Sequence, residues 1–437
     1  MKYKHIYHIF PLGYTGANQT FNDGICISTL REIEKQIPDL TKLEVTEILL
    51  GPIFESETHG YDTVDYAQID KRLGTRQDMV DLSTACHKAG IHIILDCVFN
   101  HVSRSHFAFR DLLENKEQSA YKAWFVNVDF SRQSTYGDVF SYASWDGHEH
   151  LVKLNLDYEP VRKYLIETAL SWKKTYNIDG LRMDAADVMS LDFLKQLSGS
   201  MKALDPDFCM IGEVVHGDYN LWLNEGGMDH VTNYELYKGL YSSLNDKNYY
   251  EVAYALKRQF GKGGIYPAKG LYNFADNHDV NRVSDILINR GHLYPLYIML
   301  YTIPGLPSIY YGSEYGIMGK KNQISDVNLR PTWAQVIHEK DEDVIRVIES
   351  LSLIRHQNKT LYQGSYEEFH LTHETIGYKR ACDGEALYVI INAKTERTWI
   401  EEDELMGTYW DALSHEMVEC HGGVWVNGLW GRILRKN

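Results

Sequence analysis

The sequence predicts an α/β protein built as a closed (β/α)8 barrel, the TIM-barrel architecture. Three observations lead to this prediction: eight short apolar runs of strand length, helical patterns between most of them, and charged residues where several of the runs end. Strands that alternate with helices form parallel βα units, and eight such units close into a barrel. An open doubly wound sheet is the alternative architecture.

Each predicted element follows from its own local pattern. The apolar runs are strand-sized and bounded by polar or turn residues. The candidate strands are 6–10, 45–50, 91–96, 178–184, 208–213, 228–234, 270–276 and 307–312. The segments between them repeat apolar residues at helical spacing. The candidate helices are 28–37, 77–89, 159–175, 191–203, 248–260 and 281–303.

The chain divides into a barrel, an insertion and a C-terminal domain. The interval between the third and fourth strands is far longer than one βα unit, so we assign residues 101–155 to an inserted domain. The barrel then comprises residues 1–100 and 156–360. Residues 361–437 contain strand-like stretches with Gly and Asn turns and no long helix, which predicts a small antiparallel β domain.

Composition excludes several classes of partner. The net charge of −16 argues against nucleic-acid binding, because phosphate contacts need a basic face. No run is long enough for a membrane span or a signal peptide, so a cytoplasmic protein is expected. The six cysteines form no CxxC pair and are predicted to be free thiols rather than zinc ligands. Aromatic residues make up 12% of the chain and suit sugar binding.

Charged and imidazole side chains gather where four of the predicted strands end. Because active sites of (β/α)8 barrels form at the carboxyl ends of the strands, these residues are expected to meet. Arg182 and Asp184 alone would fit a buried ion pair or a catalytic carboxylate equally well. Four strand ends with such residues argue against a purely structural reading. The residues are Asp96, Asn100, His101, Arg182, Asp184, Glu213, Asp276, Asn277, His278 and Asp279.

Carboxylates without a nucleophilic thiol, a phosphate loop or a zinc motif fit glycosidic bond cleavage, which needs a nucleophile and an acid. Arg182 should keep Asp184 ionised, as a nucleophile requires. Glu213 follows the apolar stretch CMIG and has no cation beside it in the sequence. It is therefore the candidate for a raised pKa and for the acid role.

These stretches resemble the signature regions of the α-amylase family of glycoside hydrolases, and the match extends in order over nearly the whole chain. Four of them look like the first to fourth regions of that family. They are DCVFNH (96–101), GLRMDAADV (180–188), GEVVH (212–216) and FADNHD (274–279). Two further stretches, HGYDTVDYAQIDKRLGT (59–75) and LVKLNLD (151–157), look like the segment after the second strand and the region that closes the inserted domain.

The resemblance implies a barrel (domain A), an insertion (domain B) and a C-terminal antiparallel β-sandwich (domain C). It also implies that Asp184 is the nucleophile, Glu213 the acid/base and Asp279 the transition-state stabiliser. The other implied roles belong to substrate binding and to structure. Tyr61 would stack under the sugar, His101, Arg182 and His278 would bind that sugar or orient the carboxylates, and Asp96 would be mainly structural.

The stretches around KLN (153–155) and after Glu213 are most similar to cyclomaltodextrinases, neopullulanases and maltogenic amylases. Members of that group usually carry an N-terminal β domain used in dimerisation, whereas the barrel pattern begins almost at Met1 here, so the oligomeric state stays open. Asn100 binds calcium in some relatives, but a lone amide offers no ligand cluster, and neither a metal nor another cofactor is predicted.

The predicted activity is hydrolysis, with retention, of α-1,4 bonds in maltooligosaccharides, cyclodextrins or related α-glucans. Two alternatives share the motifs: a 4-α-glucanotransferase and a non-catalytic α-glucan-binding relative, the latter disfavoured by the three carboxylates. The insertion could wall off one side of the barrel mouth with Trp124, Tyr142 and Trp145. Trp145 could stack on a glucose ring or pack in the insertion's own core.

Overall fold

A computed structural model describes residues 4–17, 19, 21–22, 28–266, 270–322 and 325–436. Eight parallel strands form the barrel that the sequence predicts, and each predicted strand contains or overlaps an observed one. The barrel strands, in chain order, are Ile6–Ile9, Glu47–Leu50, His92–Cys97, Gly180–Met183, Cys209–Gly212, His230–Val231, Tyr272–Phe274 and Leu306–Tyr310.

The barrel closes through its shortest strands. Consecutive strands pair in parallel from the first to the sixth, and the eighth lies between the first and the seventh. A parallel bridge between Thr232 and Tyr272 joins the sixth and seventh strands. The interior is filled by a separate apolar cluster of inward-pointing residues, as a barrel core requires. Its members are Ile6, Leu49, Ile94, Cys209, Ile211, Tyr272, Phe274 and Leu306.

Helices surround the barrel strands, and most fall where they are predicted. The α-helices of the barrel are Pro11–Tyr14, Leu30–Glu34, Ile37–Lys42, Arg76–Lys88, Glu159–Tyr176, Leu191–Leu204, Tyr234–Asn245, Tyr249–Phe260, Val283–Ile286, Leu293–Thr302, Trp333–Glu339, Glu342–Gln357 and Lys359–Gln363. Five short turns of 3-10 or π type lie between them: Ala186–Val188, Leu221–Glu225, Arg290–His292, Ser313–Tyr315 and Val327–Leu329.

Two predicted helices are divided in the structure. The segment 281–303 breaks at Asn289, whose side-chain oxygen accepts a hydrogen bond from the N–H of Gly291 at 3.0 Å and starts a new turn. The segment 28–37 becomes two short helices. The helix Tyr234–Asn245 is absent from the prediction because the strand was extended through Tyr234. In fact Asn233 caps that helix by accepting a bond from the N–H of Leu236.

The segment 101–155 forms a compact unit beside the barrel mouth. It contains the strands His101–Ser103, Ser144–Trp145 and His148–Lys153, the helix Phe107–Asn115, and the 3-10 turns Lys116–Gln118 and Lys122–Trp124. Its strands make one antiparallel sheet with His148–Lys153 in the centre. Trp124 and Tyr142 are buried in the apolar core. The wall predicted from them is therefore wrong for these two rings, since the small unit uses them to pack itself.

An antiparallel sheet of six strands ends the chain, as predicted. The strands are Ser365–Leu371, Thr375–Cys382, Glu385–Asn392, Thr398–Asp411, Glu416–Val426 and Trp430–Lys436. A two-stranded sheet, Phe54–Ser56 with Thr63–Ile69, follows the second barrel strand. Buried Arg380 fastens the C-terminal sheet to the barrel by donating hydrogen bonds to the carbonyl oxygens of Thr302 and Leu361.

The structure bears on two further predictions, those on the cysteines and on membrane-spanning helices. Cys86, Cys97, Cys209, Cys382 and Cys420 are free cysteines. Cys26 lies outside the described residues. Among the described residues, no helix combines the length and the apolar character needed to cross a membrane.

Glu314 gives the fold a pH-dependent weakness. It is buried after the eighth barrel strand, and the hydroxyl of Tyr7 donates a hydrogen bond to its Oε1 at 2.5 Å. Burial raises the pKa of Glu314 to about 7. A carboxyl whose folded pKa exceeds its unfolded value stabilises the fold below the unfolded pKa, and this contribution is lost as pH rises through about 7. The loss amounts to about 3 kcal/mol.

We therefore predict that Glu314→Gln stabilises the protein more at pH 8 than at pH 5. The glutamine amide oxygen keeps the bond from Tyr7 but carries no charge to desolvate. Thermal unfolding at both pH values measures the effect, and the gain in Tm over wild type should be larger by a few degrees at pH 8. Exposed Glu117→Gln serves as the control and should show equal changes at both pH values. An equal gain for Glu314→Gln at both would contradict the prediction.

Candidate active site

The carboxyl ends of four barrel strands bring the predicted residues together. Asp96 lies in the third strand, and Asp184 directly follows the fourth. Glu213 directly follows the fifth strand, and His278 and Asp279 lie in the loop after the seventh. Parallel strands present their carboxyl ends at one edge, which is why residues far apart in sequence meet here.

Arg182 is the centre of this cluster. Its Nη1 donates to both carboxylate oxygens of Asp96, at 2.8 and 2.9 Å, and to Oδ1 of Asp184 at 2.9 Å. Its Nη2 lies 2.7 Å from Oε1 of Glu213. All four side chains are buried, so these charge-assisted contacts are exposed to little solvent screening. One guanidinium therefore holds three carboxylates in fixed relative positions.

Glu213 has a second set of contacts, from the backbone and from the helix Tyr234–Asn245 that follows the sixth strand. The N–H of Ala185 donates to Oε2 of Glu213 at 2.9 Å. Ala185 adopts a left-handed conformation with φ of 51°, an uncommon one for a residue with a Cβ. Tyr234 donates to Oε1 of Glu213 at 3.5 Å, and Asn277 in turn donates to the Tyr234 hydroxyl at 3.2 Å. Local backbone strain is thus used to aim a donor at this carboxylate.

Burial dominates the proton affinity of both central carboxylates. It raises the pKa of Asp184 well above the ordinary range for aspartate, and the Glu213 charge raises it further while Arg182 opposes the shift. Burial also raises the pKa of Glu213, again against Arg182. In the sequence Arg182 is close to Asp184 alone, whereas in the fold its guanidinium contacts both Asp184 and Glu213. Arg182 therefore does not distinguish the protonation states of the two carboxyl groups.

Asp279 lies in a different electrostatic environment. Its Oδ2 is 2.9 Å from Nε2 of His278, and its Oδ1 accepts a hydrogen bond from Arg330 at 3.2 Å. Burial pushes the pKa of Asp279 upward, but His278, then Arg330 and Arg182, outweigh it and hold that pKa well below its usual range. Asp279 thus carries a negative charge, while 38% of its side-chain surface remains exposed toward the barrel mouth.

Tyr61 and His278 form an aromatic wall beside the carboxylates. Their rings are stacked, with centroids 5.4 Å apart and an angle of 9° between the planes. The Tyr61 hydroxyl donates to Oδ2 of Asp96 at 2.8 Å. Behind them, the Phe10 ring lies nearly parallel to His278 at 5.9 Å. Asp96 therefore fastens Tyr61 as well as Arg182, a structural role on both counts.

His101 and Trp145 lie where the inserted unit meets the barrel. Nε2 of His101 is 3.0 Å from the carbonyl oxygen of Tyr61, and its Nδ1 is 3.3 Å from Nδ2 of Asn100. These contacts indicate the tautomer in which Nε2 carries the proton and donates. The half-buried Trp145 ring lies 5.8 Å from the His101 ring. Trp145 therefore reaches the edge of the site from the insertion.

Asn100, the position that binds calcium in some relatives by resemblance, lies next to His101. Asn100 is fully buried; its Nδ2 lies 3.3 Å from Nδ1 of His101, and its Oδ1 has no hydrogen-bond partner among the described residues. In the described part of the chain, no group of three close carboxylate or imidazole ligands includes a residue beside Asn100.

The family model described as alpha amylase, catalytic domain, matches residues 9–352. The chain belongs to the alpha-amylase family. The match includes the barrel, the inserted unit and every residue of the cluster around Arg182.

Individual relatives within the alpha-amylase family share this layout. A cyclomaltodextrinase from a Bacillus species is 30% identical over 377 residues, which cover 83% of this chain and 65% of the relative. Neopullulanase 2 of Thermoactinomyces vulgaris is 30% identical over 404 residues, covering 90% and 67%. This chain thus spans about two thirds of the length of these curated relatives.

A solved structure matches the chain from end to end. It is the cyclic alpha-maltosyl-(1→6)-maltose hydrolase from Arthrobacter globiformis in complex with maltose, which is 25% identical and has a TM-score of 0.84. The superposition covers 99% of each chain. The arrangement of barrel, insertion and C-terminal sheet is therefore one that a protein of the same length also adopts.

Sequence reasoning missed two residues of this alpha-amylase site. Tyr234 ends the predicted sixth strand, but the selection at strand ends was for charged and imidazole side chains, and a tyrosine is neither. Arg330 lies in a long loop after the eighth strand, with no motif to mark it. Its guanidinium lies 4.3 Å above the Phe10 ring and bonds the carbonyl oxygen of His278. Only the folded chain brings it to Asp279.

We predict that Arg330→Gln lowers kcat/KM about 10- to 100-fold by releasing Asp279 and raising its pKa. The acid limb of the pH–rate profile should move to higher pH, because Asp279 then takes up a proton more readily. Arg330→Lys keeps the charge and should recover part of the rate. Arg346→Gln, which removes an exposed arginine paired with Asp343, is the control. An unchanged pH profile in Arg330→Gln would contradict the role assigned to Arg330.

Proposed function

We propose that this protein is a retaining α-glucan hydrolase that cleaves α-1,4 bonds through a covalent glycosyl-enzyme. Asp184 serves as the nucleophile, Glu213 as the acid/base and Asp279 as the stabiliser of the transition state. The observation that supports the proposal most strongly is the coupling of Asp184 and Glu213 through Arg182, with Asp279 ionised nearby. Because Arg182 contacts both central carboxylates, the division of roles between them rests on the match to the family motifs.

In the first step, Asp184 attacks the anomeric carbon while Glu213 transfers its proton to the departing glycosidic oxygen. A bond forms between an Asp184 oxygen and C1 as the bond from C1 to the leaving oxygen breaks. Burial raises the pKa of Glu213, which suits a proton donor, but it raises the pKa of Asp184 as well, so the two shifts do not separate the roles. The negative Asp279 stabilises the positive charge that develops on the sugar ring.

In the second step, Glu213 acts as a base and removes a proton from water, whose oxygen attacks C1 and releases Asp184. Two inversions give net retention of configuration. Tyr61 offers a flat ring for the sugar at the cleavage point, and His278 offers a hydrogen bond to its hydroxyls. His101 supports Tyr61 by donating to its carbonyl oxygen. Trp145 provides a further ring at the edge of the site. Arg182 holds the carboxylates of Asp96, Asp184 and Glu213 in fixed relative positions during both steps.

The anomeric configuration of the first product distinguishes retention from inversion. Proton NMR during the initial turnover of maltotriose should show the α-anomer, because a retaining enzyme preserves the configuration of its α-linked substrate. A β-anomer appearing first would contradict the covalent mechanism while leaving glucan hydrolysis intact. Absence of any product from maltotriose, cyclodextrins, pullulan and starch would overturn the proposed function itself and favour a non-catalytic glucan-binding protein.

We further propose that short or cyclic α-1,4 glucans are better substrates than long starch chains. The names of the relatives, which include cyclomaltodextrinase and maltogenic alpha-amylase, support this preference. The inserted unit beside the mouth, with Trp145 at its edge, supports a pocket over an open groove. The ratio of kcat/KM for a cyclodextrin or maltotriose to that for soluble starch, per cleavable bond, tests it. A ratio well below one would overturn the preference.

A 4-α-glucanotransferase remains the second candidate, because it uses the same three carboxylates and differs only in the acceptor. Maltotriose separates the two activities: a hydrolase releases glucose and maltose, whereas a transferase produces longer chains. For location we propose the cytoplasm, supported by the relative of Bacillus subtilis named intracellular maltogenic amylase and by the five free cysteines.

A further inference from the structure

Two histidines and an aspartate meet at the end of the barrel opposite to the catalytic carboxylates. His92 begins the third barrel strand, and Asp179 directly precedes the fourth. His87 lies near the end of the helix Arg76–Lys88 that leads into the third strand. Within the described residues, these three side chains are the one group of three or more imidazole, thiol or carboxylate ligands close enough to share an ion.

In this group, the His87–His92–Asp179 cluster, the distances from each imidazole to the carboxylate are close to those between ligands of one metal ion. Nε2 of His87 is 2.7 Å from Oδ2 of Asp179, and Nδ1 of His92 is 3.3 Å from Oδ1 of the same carboxylate. All three ligand atoms lie within 4.8 Å of one another. Ligands at zinc bond lengths of 2.0–2.2 Å in a tetrahedron are about 3.3 Å apart. Of the three ligand pairs, the His92–Asp179 pair already has this spacing and the His87–Asp179 pair needs to open by about half an ångström. The two imidazoles, whose ligand atoms lie within 4.8 Å of each other, make up the third pair.

The surroundings of the cluster support its ligands. Asp179 is anchored between two strands, since its N–H donates to the carbonyl oxygen of Ile93 at 2.7 Å and its Oδ2 accepts from the N–H of Ile93 at 2.9 Å. Nδ1 of His87 lies 3.3 Å from the side-chain amide of Asn177. When Nε2 of His87 binds a metal, its Nδ1 carries the proton. The Asn177 amide, once flipped, can accept a hydrogen bond from this N–H through its oxygen.

We propose that His87, His92 and Asp179 form a zinc-binding site. It would cross-link the start of the third and fourth barrel strands to the helix Arg76–Lys88. Two imidazoles and one carboxylate suit Zn²⁺ and leave a fourth position for water. About a quarter of each imidazole surface is exposed, so an ion can reach the ligands from solvent. The site lies at the amino ends of the strands, the face where barrels place stability rather than catalysis. Its role is therefore structural.

The full chain, freed of metal with a chelator, should bind one equivalent of Zn²⁺ in isothermal titration calorimetry, and Mg²⁺ and Ca²⁺ should not replace it. Tm should rise by about 2 °C at saturating Zn²⁺. His92→Ala should bind no equivalent of Zn²⁺ and should show no rise in Tm with Zn²⁺. Its glucan hydrolysis, measured in the presence of the chelator, should equal that of the wild type. His356→Ala, which removes an exposed histidine paired with Glu44, is the matched control and should keep both.

The Co²⁺-loaded protein gives a second readout. A tetrahedral site with two imidazoles produces visible absorption bands that His92→Ala should lack. If His92→Ala does not fold, His87→Gln takes its place, because its amide keeps a polar contact with Asp179. Absence of a bound Zn²⁺ equivalent in the wild type, or an equivalent that persists in both histidine variants, would overturn the proposal. None of these measurements depends on which glucan the enzyme hydrolyses.

Discussion

Asp184→Asn is expected to lower kcat on maltotriose at least about 10³-fold while the protein remains folded. The amide keeps the shape of the side chain and its acceptor oxygen for Arg182, but it removes the charge that attacks the anomeric carbon. Arg182 retains Asp96 and Glu213 as partners, so the cluster loses one contact of several. Steady-state kinetics measure the loss, and thermal unfolding checks the fold. A variant that kept most of its wild-type rate would show that Asp184 is not the nucleophile.

The stereochemistry of azide rescue separates a nucleophile from a general acid. In Asp184→Ala, azide can enter the vacated space and attack an activated α-glucosyl substrate directly, which inverts the centre and gives a β-glucosyl azide. Asp39→Asn, a change in an exposed ion pair with Lys42, is the control and should keep the wild-type rate. An α-azide product from Asp184→Ala would contradict the assignment.

Glu213→Gln is expected to have an effect that depends on the leaving group. Its kcat/KM for maltotriose should fall about 10²- to 10⁴-fold, because the departing glucose oxygen needs a proton. Formation of the covalent intermediate from an α-glucosyl fluoride should be far less affected, since fluoride leaves without protonation. The wild-type rate should decline on the basic side as Glu213 loses its proton, and this limb should be missing in the variant.

The second step provides the check on Glu213. In Glu213→Ala, azide can attack the covalent intermediate without a base and gives an α-glucosyl azide, the opposite anomer from that expected for Asp184→Ala. Glu117→Gln, at an exposed position of the inserted unit, is the control and should behave as wild type. Equal losses on maltotriose and on the fluoride would indicate that Glu213 only supports the structure.

The barrel could be predicted because its signal is local. Each strand is a short apolar run, and each run is buried whichever neighbour it pairs with, so alternation along the chain suffices to indicate eight βα units. The same rule located the ends of strands three, four, five and seven, and with them Asp96, Arg182, Asp184, Glu213 and Asp279. It missed Tyr234 at the end of the predicted sixth strand, because the selection was for charged and imidazole side chains.

Electrostatics could not be predicted in the same way, because charges act through space. Along the chain Arg182 neighbours Asp184, and this proximity suggested that the arginine serves the nucleophile alone. In the folded barrel its second nitrogen lies 2.7 Å from Glu213, which is 31 positions away in the sequence. Trp124 and Tyr142 show a second kind of error. The sequence assigned their rings to a binding wall, but both rings are buried and pack the small inserted unit.

By itself the sequence determined the architecture, the order of its parts and which residue types end the strands, because these depend on hydrophobic periodicity and on position along each strand. Only the tertiary structure decided which charges meet. It placed Arg182 between two carboxylates, Arg330 on Asp279, and His87 and His92 on either side of Asp179. The physical reason is that burial and charge proximity, which set proton and metal affinity, arise only when distant segments close on one another.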